Sequence, residues 1–353
     1  MEDYYQKEAT SLQIIRELKH AHLITPLAAY TSGDLRAFLF PWAEGGNLKE
    51  FWKRTTTRAT EDGELMKWVL NQLCGICSAT KALHEKNCRH TDLKPENILL
   101  FEEYGPRGIL RIADVGLARF HNDITRQRKS ITNAKTGTVR YEPPEMGRDK
   151  QLPRVYDVWC LGCVFFEFLI WAVYGPTGLD SFIRLSVEQQ FWEKQKDGYH
   201  QHWEVRRWIT HMSTFLKSGT ALKCCLTLID EGMLVPAWEN RLQIADLQIK
   251  FEDIRNKAEK DEKFLLDQDL PRRITTPPQS TVVMGSKSIT LQVPDQPKMR
   301  NSSLASRTAP DVLNDDAEKS TKNLDTSVPE RAGATLHVPE ISVERAQENV
   351  RRF

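Results

Sequence analysis

The sequence predicts an α+β fold in which helices dominate after about position 60 and the few strands are short. Three observations carry that expectation. Leu65, Trp68, Leu73, Ile76, Ala79 and Leu83 recur at helical spacing, and similar periods return further along the chain. The strand-like runs, by contrast, span only a few residues each and are bounded by Gly or Pro. All nine tryptophans lie before position 240, which places the aromatic core in that part of the chain.

Taken in order, Leu12, Ile15 and Leu18 predict a helix ending near His20, and Leu35–Phe40 reads as a strand stopped by Pro41. A short helix from Leu48 to Trp52 follows Gly45-Gly46-Asn47, and a long one covers Glu64 to His84. Ile98–Leu100 and Ile109–Ile112, joined through Gly105-Pro106-Arg107-Gly108, read as a small hairpin. Helices are then expected over Val158–Ala172, 187–196, 204–217, 220–230 and 242–254. From about 256 the chain turns to Lys, Glu, Pro, Ser, Thr, Gln and Asn without a sustained period, a composition that cannot repay the entropy of ordering. A disordered tail is expected there; Ser288–Val293 alternates like a strand and reads as an unpaired segment or a docking peptide.

Composition narrows the function. A net charge of +1 over 353 residues provides no global field for nucleic acid or a membrane surface, so neither is expected as a partner. The run Val158–Tyr174 is shorter than the roughly 20 residues a spanning helix needs, which suits a buried core helix. Met1-Glu2-Asp3-Tyr4 opens no basic-then-apolar leader. The seven cysteines form no ligand pairs or regular framework, so buried free thiols in a reducing compartment, cytoplasm and/or nucleus, are expected.

The residues with chemistry cluster around the hairpin. His90-Thr91-Asp92-Leu93-Lys94-Pro95-Glu96-Asn97 precedes its first strand, and Asp114-Val115-Gly116 follows its second. A two-stranded ribbon brings both loops to one end, so Asp92, Lys94, Asn97 and Asp114 converge on a common site. Asn97 and Asp114 offer the hard oxygens magnesium prefers. Asp92 is placed to accept a proton from an incoming hydroxyl, and Lys94 to neutralise charge on a transferring phosphoryl group.

This string resembles the catalytic loop of eukaryotic Ser/Thr protein kinases, and Asp114-Val115-Gly116 resembles their Asp-Phe-Gly motif. Thr136–Glu145 resembles the segment closing the activation loop, and Tyr156–Cys163 the start of the long buried helix of the large lobe. Leu39–Ala43 and Gly232-Met233-Leu234 are similar to kinase-like proteins of filamentous fungi. The resemblance covers about residues 8–255. It implies a protein-kinase-like fold, mostly the helical lobe: 1–43 a remnant of the small lobe, 44–255 the large lobe, 256–353 the tail. It also implies ATP and Mg2+ as cofactors and a protein with a Ser or Thr hydroxyl as substrate. By resemblance Asp92, Lys94 and Thr138 are catalytic, Asn97 and Asp114 hold magnesium, Phe40 is the gatekeeper, Pro41 and Ala43 form the hinge, and Leu99 lies beneath the base. Asp157 braces the catalytic loop and Glu145 and Arg241 form a buried pair; Glu167 reads as an internally bonded helix residue, with an acid that favours basic substrate residues as the alternative the resemblance implies.

The sequence also departs from that family. It contains no Gly-x-Gly-x-x-Gly, and Lys7 is the only lysine ahead of the first helix. Neither Glu8 nor Ser11, at the place of the helix glutamate, has a lysine to meet. Thr91 replaces an arginine that binds a phosphorylated activation loop, although Thr125, Ser130 and Thr132 lie among Arg126, Arg128 and Lys129. Val115 replaces the motif phenylalanine. Without the phosphate-covering elements the chain is expected to be nearly inactive alone, because each well-placed donor is worth roughly 3–4 kcal/mol in such a site. Three accounts follow: an N-terminally truncated kinase, as a fragment or mispredicted gene product; a kinase-derived binding module whose exposed small-lobe face a partner covers; or a different phosphotransferase.

Overall fold

The periodic stretch 64–84 folds as the longest unbroken helix of a computed structural model that describes residues 16–32, 35–114, 137–146, 153–185 and 190–267, with 270 and 276. The fold is α+β and dominated by helices, with three antiparallel hairpins as its only sheets among the described residues.

The first hairpin joins β1 (Ala28–Ser32) to β2 (Leu35–Leu39), in register from Ala28↔Leu39 to Ser32↔Leu35. β2 lies where the Leu35–Phe40 run predicts a strand. β1 had no such signal, because Ala28-Ala29-Tyr30-Thr31-Ser32 lacks an apolar alternation. α1 (Leu48–Arg54) starts at a capping box: Glu50 N donates to Asn47 Oδ1 at 3.0 Å and Asn47 N to Glu50 Oε2 at 3.1 Å. α2 (Gly63–Glu85) opens on Asp62, whose carboxylate accepts from Leu65 N at 2.9 Å. β3 (Ile98–Phe101) and β4 (Ile109–Ile112) form the second hairpin, where the sequence placed it.

α3 (Val155–Leu185) is broken at Gly175 (φ 71°, ψ −170°), followed by Pro176. By length and composition this helix is long and apolar enough to cross a membrane, yet 94% of its most apolar stretch is buried within the fold. It is the core helix, longer than Val158–Ala172 suggested.

One expectation is overturned. The helix expected over 187–196 is instead β5 (Trp192–Gln195), paired with β6 (Gly198–Gln201) through the two-residue loop Lys196-Asp197. Gly198 explains it: its φ of 146° lies where side-chain-bearing residues are rarely found, and Asp197-Gly198 is a turn signal. Four further helices follow: α4 (Trp203–Phe215), α5 (Ala221–Leu228), α6 (Ile244–Ala258) and α7 (Glu262–Leu265). α5 runs directly into a π turn over Ile229–Met233. α7 adds buried Phe264 and Leu265, so folded elements continue beyond 255. The rest of the expected tail, from 277, lies outside the described residues, as do Leu12 and Ile15 of the first helix.

The core is aromatic. Trp52, Trp159, Trp171, Trp208, Phe165, Phe166, Phe168 and Phe251 are all less than 2% exposed. They meet edge to face, as in Phe165–Phe251, with centroids 5.5 Å apart at 88°. All seven cysteines are free, and six are buried.

Candidate active site

The loop before β3 hangs from one carboxylate. Asp157, fully buried on α3, accepts from His90 N at 3.0 Å and Thr91 N at 2.8 Å and bonds to His84 Nε2 of α2 at 2.8 Å. Burial alone would raise this carboxyl; the bond from His84, the charges of His84 and His90 and the Thr91 amide together hold it below its ordinary value. Thr91 sits at φ 64°, a strained setting for a β-branched residue that these two amide bonds maintain. His90 in turn bonds through Nε2 to Ala113 O at 2.7 Å, tying the loop to the residue after β4.

Above this anchor the expected residues meet. Lys94 Nζ donates to Asp92 Oδ2 at 2.7 Å, and Asn97 Nδ2 donates to Asp92 O at 2.8 Å and Oδ2 at 3.0 Å. Asp92 Oδ1 receives none of these bonds. Asn97 ends a short 3₁₀ turn, Pro95–Asn97, and its carbonyl accepts from Ala113 N at 2.9 Å. The hairpin register thereby sets Asn97 opposite Ala113, the neighbour of Asp114. Asp114 itself is exposed at φ 59°.

Asp114 also lines a cleft of about 490 Å³ with Phe40, Pro41, Ala43, Leu99 and Ile24. These apolar walls form a small cluster of their own with Phe101 and Ala113. The segment after Ala43 is stitched to β3, with Gly45 N donating to Leu100 O at 3.1 Å and Leu100 N to Gly46 O at 2.8 Å. A cleft of this size with apolar walls and a few polar groups at one end can hold a small planar ligand and orient its charged end.

The 3₁₀ turn Gly137–Tyr141 carries Thr138 in its backbone; the Thr138 side chain lies outside the described residues. So do Val115, Gly116 and the basic loop with Thr125, Ser130 and Thr132. Glu145 and Arg241 form a bidentate pair at 2.6 and 2.8 Å, both buried, with the guanidinium 4.9 Å from the Trp159 ring centroid.

Glu167 is the internally bonded helix residue of its two readings. It is 0% exposed and already engaged: Arg140 Nε donates to Oε1 at 3.0 Å, Arg140 Nη2 lies 2.9 Å from the same oxygen, and Tyr141 OH donates to Oε2 at 2.9 Å. A carboxylate so enclosed is not open to a basic substrate residue. Arg140 and Tyr141 are the functional neighbours that residue-by-residue reading missed. Their only sequence signal is a buried acid on an otherwise apolar helix, which must find partners.

The family model described as protein kinase domain matches residues 2–246. Serine/threonine-protein kinase Nek4 of Mus musculus is 28% identical over 156 residues, 44% of this chain and 18% of that protein. Serine/threonine-protein kinase nekl-2 of Caenorhabditis elegans is 27% identical over 173 residues, 46% of each. Serine/threonine-protein kinase ULK3 of Xenopus laevis is 31% identical over 160 residues, 45% of this chain and 31% of that protein. The chain spans less than half the length of each of these relatives. It belongs to the protein kinase domain family, as a domain related to serine/threonine protein kinases.

Proposed function

We propose that these residues carry the phosphoryl-transfer site of a protein serine/threonine kinase of fungal kinase-like type, moving a phosphoryl group from ATP to a protein Ser or Thr hydroxyl. The observation that carries this reading is that Lys94 and Asn97 both bond Asp92, while Asn97 is held across the hairpin from the residue before Asp114. On this reading Asp92 accepts the hydroxyl proton through Oδ1, the oxygen that neither Lys94 nor Asn97 occupies. Lys94 stands where it offsets negative charge on the transferred group, and Thr138 keeps the pair in place. The base lies over Leu99 against Phe40, with the backbone of Pro41 and Ala43 along its edge.

Magnesium fits the donor set. The Asn97 amide nitrogen is spent on Asp92, which turns its carbonyl oxygen outward as a hard ligand, and Asp114 adds an exposed carboxylate. Among the described residues no three His, Cys, Asp or Glu side chains gather into a closed metal cage, in keeping with an ion completed by phosphate oxygens. When bound, the ion supplies charge neutralisation at the phosphates. A location in cytoplasm and/or nucleus is proposed with this reading, supported by the seven free thiols.

Calorimetry with ATP tests the site. The 353 residues contain no Gly-x-Gly-x-x-Gly, so weak binding that requires magnesium is expected, and Asp114→Asn should weaken that magnesium-dependent binding further. Micromolar binding without magnesium, or binding indifferent to Asp114→Asn, would overturn the assignment. A second reading, a binding module with a partner over the β1–β2 side, is favoured by Trp42, Leu39 and Leu27, which are 82%, 54% and 57% exposed. The readings part at Asp92→Asn, which abolishes transfer under the first and leaves partner binding intact under the second.

A further inference from the structure

The β5–β6 hairpin and Phe191, the residue just before it, have no part in the site as described, yet together they touch three successive residues of the segment that runs beside them. The Arg140 guanidinium lies between the rings of Phe182 and Phe191, 5.1 and 4.9 Å from their centroids. Tyr141 stacks on Phe191, with centroids 6.3 Å apart at 29°. Trp192 Nε1 donates to Glu142 O at 2.8 Å. Phe191 is itself fixed, being 1% exposed and accepting from His202 N at 2.8 Å.

On its other side this segment is tied to α3: Tyr141 O accepts from Cys160 Sγ at 3.3 Å, one helical turn from Asp157, whose carboxylate holds the amides of His90 and Thr91. The segment then runs through Pro143 and Pro144 into the buried Glu145–Arg241 pair, which fixes its far end. Its near end is held by Glu167, through Arg140 and Tyr141, and from the opposite direction by Phe191 and Trp192. The arrangement is also economical in donors: Pro143 and Pro144 have no N–H, so Glu142 O and the few remaining amides carry the segment's hydrogen bonding.

We propose that Phe191 and Trp192 are positioning residues that set the 139–146 segment against α3, one turn from the carboxylate that anchors the His90–Asn97 loop, and through it the place where a protein substrate lies. The second half of the proposal rests on the kinase reading; the first does not. Trp192 acts through a single directional bond, so its loss should loosen the segment without loosening the core. Phe191 acts through stacking and a cation–π contact, which hold the plane of Arg140 and Tyr141 rather than their depth.

Backbone hydrogen exchange resolves the two amides that mark the segment: Glu142 N, bonded to Val139 O at 3.2 Å, and Met146 N, bonded to Pro143 O at 3.0 Å. Trp192→Phe keeps the ring and deletes the N–H. Both amides should then exchange about fivefold faster, the factor one net neutral hydrogen bond is worth, while α2 amides keep their rates. Unchanged rates at the two amides, or the same acceleration everywhere, would overturn the proposal. Trp203→Phe, at a 42% exposed indole on the adjoining α4, should leave both amides alone; an equal effect there also overturns it. The unaltered chain gives a third reading that needs no variant. The Trp192 indole N–H should exchange several-fold more slowly than that of Trp203, and equal rates would sink the bond on which the proposal stands. None of these measurements uses nucleotide or turnover, so a failed ATP titration and a failed positioning role are told apart.

Discussion

The helical body and the residues ahead of α1 are built to different standards. α3 alone places Trp159, Phe165, Phe166, Phe168 and Trp171 at full burial, each such side chain worth about 1.5–3 kcal/mol or more. Among the described side chains between residues 16 and 43, only Leu23 and Ile24 are buried, while Leu27, Leu39 and Trp42 are more than half exposed. What joins the two is a handful of bonds: Ile24 N to Ile112 O and Ile112 N to His22 O, each 2.9 Å, the His22 ring to Leu110 O at 2.7 Å and the His20 ring to Ser78 Oγ at 3.0 Å, besides the Gly45–Leu100 stitches. The acidic end of the candidate site therefore stands on the body, and the wall of its cleft stands on a thin layer. The β3–β4 hairpin is the strut common to both.

The comparison is sharpest when the body is broken. Arg241→Leu leaves Glu145 buried at 3% exposure without its bidentate partner, which should cost roughly 3–5 kcal/mol in urea unfolding. Leu39→Ser, at a 54% exposed position, should cost less than about 0.5 kcal/mol. Similar losses from the two substitutions would mean that the layer ahead of α1 is packed as tightly as the body.

Acid should act next, and on the thin layer. His22 is seated directly on α2: a Cβ at Gly75 would lie 2.0 Å from its Nε2. Burial pulls its pKa down to about 4, with the charges of His20 and Arg111 acting the same way and its bond to Leu110 O opposing them. The folded state thus holds a neutral ring where the unfolded chain, with an ordinary value near 6.5, binds a proton. Stability is complete above about pH 6.5 and falls as pH drops towards 4, by about 3 kcal/mol in all. Unfolding measured across this range should show that slope, and His22→Gln should flatten it. An unchanged slope in the variant would assign the acid sensitivity to carboxylates elsewhere.

These contrasts also explain what the sequence could reveal. The long helices and the β3–β4 hairpin were legible because one face of each is buried, and burial writes a period into the residues. The loop His90–Asn97 and Asp114 were legible because their chemistry demands given residue types at given offsets. β1 was not legible, since Ala28–Ser32 carries no apolar alternation to mark a strand. β5 was misread as helix because Phe191, Trp192 and the polar residues after them fit either period over so short a run; the turn at Asp197-Gly198 held the deciding information. The partners of Glu167 lie 26 and 27 residues away in sequence, a separation that no local pattern encodes.

The smallest expected effect tests the thin layer at its most exposed point. Trp42 is 82% exposed and yet lines the cleft beside Pro41 and Ala43. An indole so placed contributes little to folding, because nearly all its surface stays in water in both states. Trp42→Ser should therefore shift unfolding by less than about 0.5 kcal/mol. It should also reduce concentration-dependent light scattering, because it removes the most exposed aromatic surface on this side. A loss of stability above about 1 kcal/mol would show the indole covered in solution, by this chain or by a second copy. The wall of the cleft would then be a packed layer, and the contrast with the body would disappear.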